Sequence, residues 1–323
     1  MPASKGRPTV DIGDGYSHHY TTSAPCEYAR STILSVCRKL GAFLSGGGDM
    51  RMRRIAVLID GGFFLKRLPK LVEPQYRTTA KQVADTARHL CKRHVQRLTH
   101  WGPDPDAEGL WLDHVYRLFY YDAAPYEGVS HHPIQNRRID FGKSEVASFR
   151  RELFSELRYK RKFALRLGHV TKESDWRLSP RLTRHVLKIG KWLEFLEAAL
   201  LQEQGVNRPA LSDADSRELR GFVTACREIG ERDVNFGLRQ KGVDMRIGLD
   251  IASMTLKHQV DTLILVTGDS DFVPAAKLAR REGVEFLLDP LWQQVSDELN
   301  EHVDGVVSAF PKPAIDSQAR IAA

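Results

Sequence analysis

The sequence predicts an α/β fold, a mainly parallel sheet with helices on both faces. Three observations predict it. Short, continuous apolar runs (Ile55–Ile59, Thr262–Thr267 and Val284–Leu288) suit strands buried on both faces of a parallel sheet. Helical patterns of about 10–15 residues separate such runs, as right-handed βαβ crossovers require. Several of the runs also end in acid or in a Gly-Asp turn, as at Asp60, Asp122 and Gly268-Asp269.

Taken in order, residues 1–49 read as a disordered N-terminal extension, with seven glycines and only a short helical pattern at 31–43. Met50 or Met52 is then the expected start of the natural chain. The first strand, Ile55–Ile59, is followed by a helix expected at Thr78–Thr99 and a second strand at Val115–Tyr121 ending on Asp122. Phe149–Arg158 reads as a helix and Phe163–Leu167 as a short strand. Residues 181–229 read as mostly helical, so a basic, largely helical elaboration is expected at about 137–230. The last third predicts a helix at Asp244–His258, a strand at 262–267, and a helix at Pro274–Arg281 with Pro in its first turn and Gly283 past its end. A strand at 284–288 and an amphipathic helix at Leu291–His302 follow. The domain is expected to span 50–308, with a flexible tail at 309–323.

Composition excludes several classes. The 323 residues carry 48 Lys+Arg and 41 Asp+Glu, a formal charge of +7 with a pI near 9.2. No apolar stretch approaches the ~18–20 residues that span a bilayer, so no membrane partner is expected. The four cysteines, at 26, 37, 91 and 226, form no CxxC pair, which argues against a zinc finger or disulfide scaffold and for a cytoplasmic location. Charge is uneven: residues 137–192 hold 16 Lys+Arg against 6 Asp+Glu, more than the whole excess. Within that stretch Arg158, Lys160, Arg161 and Lys162, with Arg150 and Arg151, are candidates to track a phosphate backbone, and Tyr159 and Trp176 to stack on bases. A solvated helix face explains the same charges equally well.

In open α/β sheets the reactive site lies outside the carboxyl ends of the strands. Acids collected there repel one another unless a cation is bound. Oxygen ligands without Cys or His suit Mg²⁺ or Mn²⁺. Each acid alone is as readily a helix cap, Asp261 reads as a turn residue, and Asp122 leans toward a purely structural role. Capping does not explain the joint occurrence of Asp60, Asp244 and the Gly-Asp-Ser-Asp turn in this order. His131-His132, in a loop with no third ligand, reads against a metal site.

LIDGG (58–62), LFYYDA (118–123), QKGVDMRIGLDIA (240–252) and LVTGDSDFVPAAKLARREGVEFLL (265–288) resemble the NYN domain of LabA-like proteins, in the PIN-like nuclease superfamily. The resemblance covers roughly residues 53–308. It implies a PIN-like, Rossmann-like three-layer sandwich and a metal-dependent ribonuclease. Carried over, Asp60, Asp244, Asp269 and Asp271 match the catalytic acidic cluster, and these four with Asp250 the ligands of Mg²⁺ or Mn²⁺. RNA is the implied partner, and a homo-oligomer stays open. One position departs: many NYN domains begin Asp-Gly-x-Asn, and here the fourth residue is Phe63. The alternative is a non-catalytic nucleic-acid-binding or regulatory protein that keeps the fold. A haloacid-dehalogenase-type phosphatase is discounted, because it needs Asp-x-Asp where this chain has Asp60-Gly61-Gly62.

Overall fold

A computed structural model describes residues 52–99, 110–200 and 211–313. Strand β1 (Ile55–Asp60) explains the architecture by itself. Its side chains alternate between two cores: Ile55, Val57 and Ile59 enter one, Ala56 and Leu58 the other. Both cores must therefore be covered by helices.

The first core packs against α1 (Gly61–Arg67), α2 (Ala80–Thr99) and α3 (Glu145–Arg158). The second packs against α7 (Val243–Leu256) and α8 (Val273–Arg281). Between α3 and α7 the chain forms α4 (Pro180–Leu187), α5 (Leu193–Leu200) and α6 (Asp213–Arg227), and α9 (Asp297–Glu301) follows α8.

The remaining strands are β2 (Val115–Ala124), β3 (Val129–His131), β4 (Arg138–Asp140), β5 (Phe163–Leu178), β6 (Val234–Lys241), β7 (Thr262–Val266), β8 (Glu285–Asp289) and β9 (Gly305–Val306). The main sheet runs β6-β5-β2-β1-β7-β8-β9, and β3 and β4 form a separate hairpin. Every pairing in the main sheet is parallel except β5 with β6. The expected three-layer, mainly parallel fold is what the chain adopts.

Four expectations are corrected. Within the region around 137–230 the strand is longer than expected: β5 runs 16 residues, far beyond the short strand at 163–167. It pairs with β2 as far as His169 and from there with β6, so its outer half projects roughly 30 Å past the sheet as a two-stranded arm. Bulges at Ser174 bend this arm, and Gly237 is required opposite, since a Cβ there would lie 2.0 Å from Ser174 Oγ. The helix expected at 291–302 shrinks to α9, because Leu291 and Trp292 adopt φ of 48° and 60° and Ser296 provides the cap. A helix that sequence reasoning misses, α1, follows β1 directly, capped by Asp60 and closing on Lys66 and Arg67.

The fourth correction concerns the tail. Ala309 and Phe310 are buried; the Ala309 N–H donates to Asp289 Oδ2 and the Trp292 indole to the Phe310 carbonyl. The fold thus extends through Phe310. The expected extension at 1–49, its 31–43 helix and Met50 lie outside the described residues, as do residues 314–323 of the expected tail. Among the described residues, no helix is long and apolar enough to cross a membrane.

Candidate active site

The parallel register aligns the strand ends. Asp60 is level with Tyr121 on β2, Asp122 with Leu167 on β5, and Val266 with Asp289 on β8. The loops after β1, β2 and β7 therefore open on one edge of the sheet.

Asp60 sits where β1 turns into α1. Its Oδ1 accepts the Phe63 N–H at 3.0 Å, and its Oδ2 accepts the Thr267 hydroxyl at 3.4 Å. Burial pushes the Asp60 carboxyl above the ordinary carboxylate range, and the charges of Asp244 and Asp122 push it further; the Phe63 and Thr267 hydrogen bonds oppose the rise. The tight entry into α1 demands glycine at 61, where a Cβ would lie 2.6 Å from the Tyr121 carbonyl oxygen.

Asp244 stands in the first turn of α7. The cap position before it is Gly242, with φ of 76°, so Asp244 is not the capping residue the sequence allowed it to be. Its carboxyl is also raised, first by burial and then by the charges of Asp269 and Asp271. Asp269 caps a 3₁₀ turn at Ser270–Phe272: its Oδ1 accepts the Asp271 N–H at 3.1 Å, and its own N–H donates to the Thr267 hydroxyl at 3.3 Å. Asp244 thus links the set: its charge acts on Asp60, and the charges of Asp269 and Asp271 act on it. The helix-cap explanation holds for Asp60 and Asp269, and both belong to this set all the same.

Asp250 is engaged elsewhere. Its Oδ2 accepts the Tyr121 hydroxyl at 2.8 Å and the Arg166 Nε–H at 3.1 Å. This partly buried pair lies a turn and a half further along α7.

The basic residues separate from the acids. Residues 158–162 lie between α3 and β5, at the amino ends of the strands. There the Lys162 carbonyl accepts the Leu118 N–H, and its ammonium reaches the Val115 carbonyl at 2.6 Å. Four residue steps along β2, about 13 Å, separate Leu118 from Asp122. Lys160 is held by Asp85 at 2.5 Å, while Arg158 and Arg161 are exposed. Trp176 is packed against His132 and Phe236, with ring centroids at 4.9 and 5.3 Å, and Tyr159 is exposed. His132 is itself buried and accepts the backbone N–H groups of Ile134 and Gln135.

Sequence reasoning misses three neighbours of the site. Thr267, fully buried, links Asp60 to Asp269; its signal is a small hydroxyl residue between a buried strand and a Gly-Asp turn. Arg150 pairs with Asp122, which lies within β2, two residues before its end, and is fully buried. Gln240, near the end of β6, has its Oε1 3.8 Å from the point a Cβ on Gly62 would occupy, and Asp60 Oδ1 is 3.5 Å from that same point.

The donors fit a hard divalent cation in kind. They are carboxylate oxygens alone, and their mutual repulsion is relieved by positive charge. Among the described residues no three His, Cys, Asp or Glu side chains close on a single point at ligand distance. Mg²⁺ commonly takes only one or two carboxylates and keeps its waters, so the open arrangement is compatible with it.

Residues 175–310 match the family model of the NYN domain. The NYN match contains α7, the β7 loop and β8, hence Asp244, Asp250, Asp269 and Asp271, but not Asp60. It is narrower than the resemblance over roughly 53–308. NYN domains are a PIN-like nuclease family. No curated protein matches the chain. One solved structure, a protein of unknown function from Vibrio parahaemolyticus RIMD 2210633, aligns over 81% of this chain and 98% of its own at 13% identity. Its TM-score of 0.34 is too low to support any conclusion.

Proposed function

We propose that this chain is a ribonuclease that hydrolyses RNA phosphodiester bonds with Mg²⁺ or Mn²⁺ held among Asp60, Asp244, Asp269 and Asp271. The observation that supports it is the convergence of these carboxylates, from three separated segments, on the carboxyl edge of a parallel sheet. The NYN match over three of the four supports the same reading. Bound there, the cation would supply an activated water and neutralise charge at the scissile phosphate. The protein's part is positioning. Phe63 N–H and the Thr267 hydroxyl hold the two oxygens of Asp60, and the Asp271 N–H holds Asp269. Asp250 serves as the partner of Arg166 and Tyr121, and we leave it out of the ligand set.

The basic turn at 158–162 belongs to this proposal in a restricted form. It would contact RNA only where the strand runs on around the sheet, away from the scissile bond.

The test is incubation of the purified full chain with labelled single-stranded and structured RNA in Mg²⁺, Mn²⁺ or EDTA. Cleavage that EDTA abolishes is the expected result. RNA binding without cleavage under every metal condition would overturn the enzyme and leave the non-catalytic reading.

A further inference from the structure

Beside the acidic edge lies a cavity of about 360 Å³, within the size range of small-molecule sites. Its floor is Asp122. This carboxylate is fully buried, and Oδ1 is satisfied by Arg150 and by the Ala123 N–H at 2.7 Å. Oδ2, equally buried, has no hydrogen-bond partner. A buried acceptor left unpaired costs free energy, which makes it an informative exception. The walls are of a different kind. Tyr126 and Phe141 come from the segment around the β3–β4 hairpin, and Leu238 and Gln240 from the β5–β6 arm. The two rings meet edge to face at 5.7 Å, and Phe236 stacks behind Phe141 at 4.8 Å, so the aromatic wall is fixed from behind.

The cavity is joined to the candidate catalytic edge at two points. Gln240 lines it and also flanks Gly62 next to Asp60. Asp122 is close enough to Asp60 for its charge to be felt there.

We infer that this cavity is a base-binding subsite, receiving a nucleobase next to the scissile phosphate and favouring adenine or cytosine. An aromatic and aliphatic wall suits the face of a base. The lining pairs an acceptor with a donor: Asp122, whose Oδ2 is unpartnered, and the Arg150 guanidinium. The amino group and neighbouring ring nitrogen of adenine or cytosine complement that order. In the pose that places the amino group of cytosine or adenine at the carboxylate, uracil would present a carbonyl there instead. The assignment as a subsite rests on the ribonuclease reading, whereas occupancy of the cavity by a base does not.

The experiment therefore separates the two. Binding of 5′-AMP, 5′-CMP and 5′-UMP to the full chain is measured calorimetrically in EDTA, and cleavage of A-, C- and U-containing oligonucleotides is measured in Mg²⁺. Two variants are compared, Asp122→Asn and Leu238→Trp. The second fills the cavity from a partly exposed strand position, so it keeps the test valid if the buried Asn disturbs folding. AMP and CMP are expected to bind at least tenfold more tightly than UMP, and Leu238→Trp to remove that difference. Mononucleotide binding lost in Leu238→Trp, in a protein that cleaves nothing, would overturn the nuclease and keep the base site. Equal binding of all three nucleotides, or binding unchanged in Leu238→Trp, would overturn the base site whatever the cleavage result.

Discussion

The hydroxyl of Thr267 donates to Asp60 Oδ2 at 3.4 Å, joining the ends of two neighbouring strands 207 residues apart in sequence. The Thr267 hydroxyl oxygen in turn accepts the Asp269 N–H, so one small side chain sets the relation between two of the proposed metal ligands. Thr267→Val keeps the shape and deletes both bonds. The bond to Asp60 alone, worth about 0.5–1.5 kcal/mol net, corresponds to a fall in cleavage of about 2- to 10-fold. Without this bond Asp60 holds its proton more firmly, and the acid limb of the pH–rate profile should move to higher pH. An unchanged rate and an unmoved limb would show that Thr267 only fills space.

Asp269→Asn and Asp60→Asn isolate the charge. Asn caps helices about as well as Asp, so both variants should keep the fold and its cooperative melt. Cleavage should drop by ~100-fold or more, because ligand charge at such a site is worth several kcal/mol. Full cleavage by both variants would end the metal-nuclease reading.

The pH dependence of stability follows from Asp60 and Asp244, whose carboxyls are raised in the folded chain. Unfolded carboxyls titrate near ~4. From there up to the raised folded values the folded chain binds more protons than the unfolded one, so these groups make stability fall as pH rises. An Asp60→Asn/Asp244→Asn double variant should lose less stability than the parent across that window. Mg²⁺ or Mn²⁺ should stabilise only the parent, by about 2.7 kcal/mol at a hundred times its Kd. Identical pH slopes in thermal melts of parent and variant would mean that neither burial nor repulsion raises these carboxyls in the folded chain.

Two glycines give opposite expectations. A Cβ on Gly61 would press into the Tyr121 carbonyl and the Tyr120 ring, so Gly61→Ala should cost ~2 kcal/mol or more. Gly248 lies within α7 and a Cβ there meets nothing within 4 Å. Gly248→Ala should stabilise by about 0.5–1 kcal/mol through helix propensity alone. Chemical denaturation of the two variants measures both signs.

Neutralising the exposed pair, Arg158→Ser with Arg161→Ser, tests the basic turn. Affinity for long RNA should fall, and its log-salt slope should flatten by ~0.7 for each phosphate no longer neutralised. A short oligonucleotide confined to the acidic edge should bind as before. Equal weakening for both lengths would place the substrate path at the turn and contradict the geometry.

The strands that sequence makes legible are those whose apolar character is unbroken. Ile55–Ile59 and Thr262–Val266 are wholly buried, and each is recognisable within five residues. Asp60, Asp269 and Asp271 are legible by their place after such strands, and Asp244 by the resemblance that QKGVDMRIGLDIA carries. β5 reads too short because its outer half, HVTKESDWRL, has no buried face to impose alternation, and its partner β6 lies some 60 residues away. The helix expected at 291–302 is too long because Leu291, Val295 and Leu299 repeat at helical spacing, although Leu291 is left-handed and its N–H belongs to Asp289. Asp122 reads as merely structural because its partner, Arg150, looks in sequence like one surface cation among many.

The order of strands in the sheet also governs how the chain can come to exist. β1 is made early in synthesis, yet one of its two neighbours, β7, follows about 200 residues later: Ile55 pairs with Thr262. Until that segment emerges, an apolar strand meant to be covered on every side keeps one flank open. Such long-range parallel pairing closes slowly and exposes sticky surface while it waits. The same order makes residues 175–310 unfit to stand alone. Cutting there removes β1 and β2, and β6 is left with no sheet to join β7 and β8.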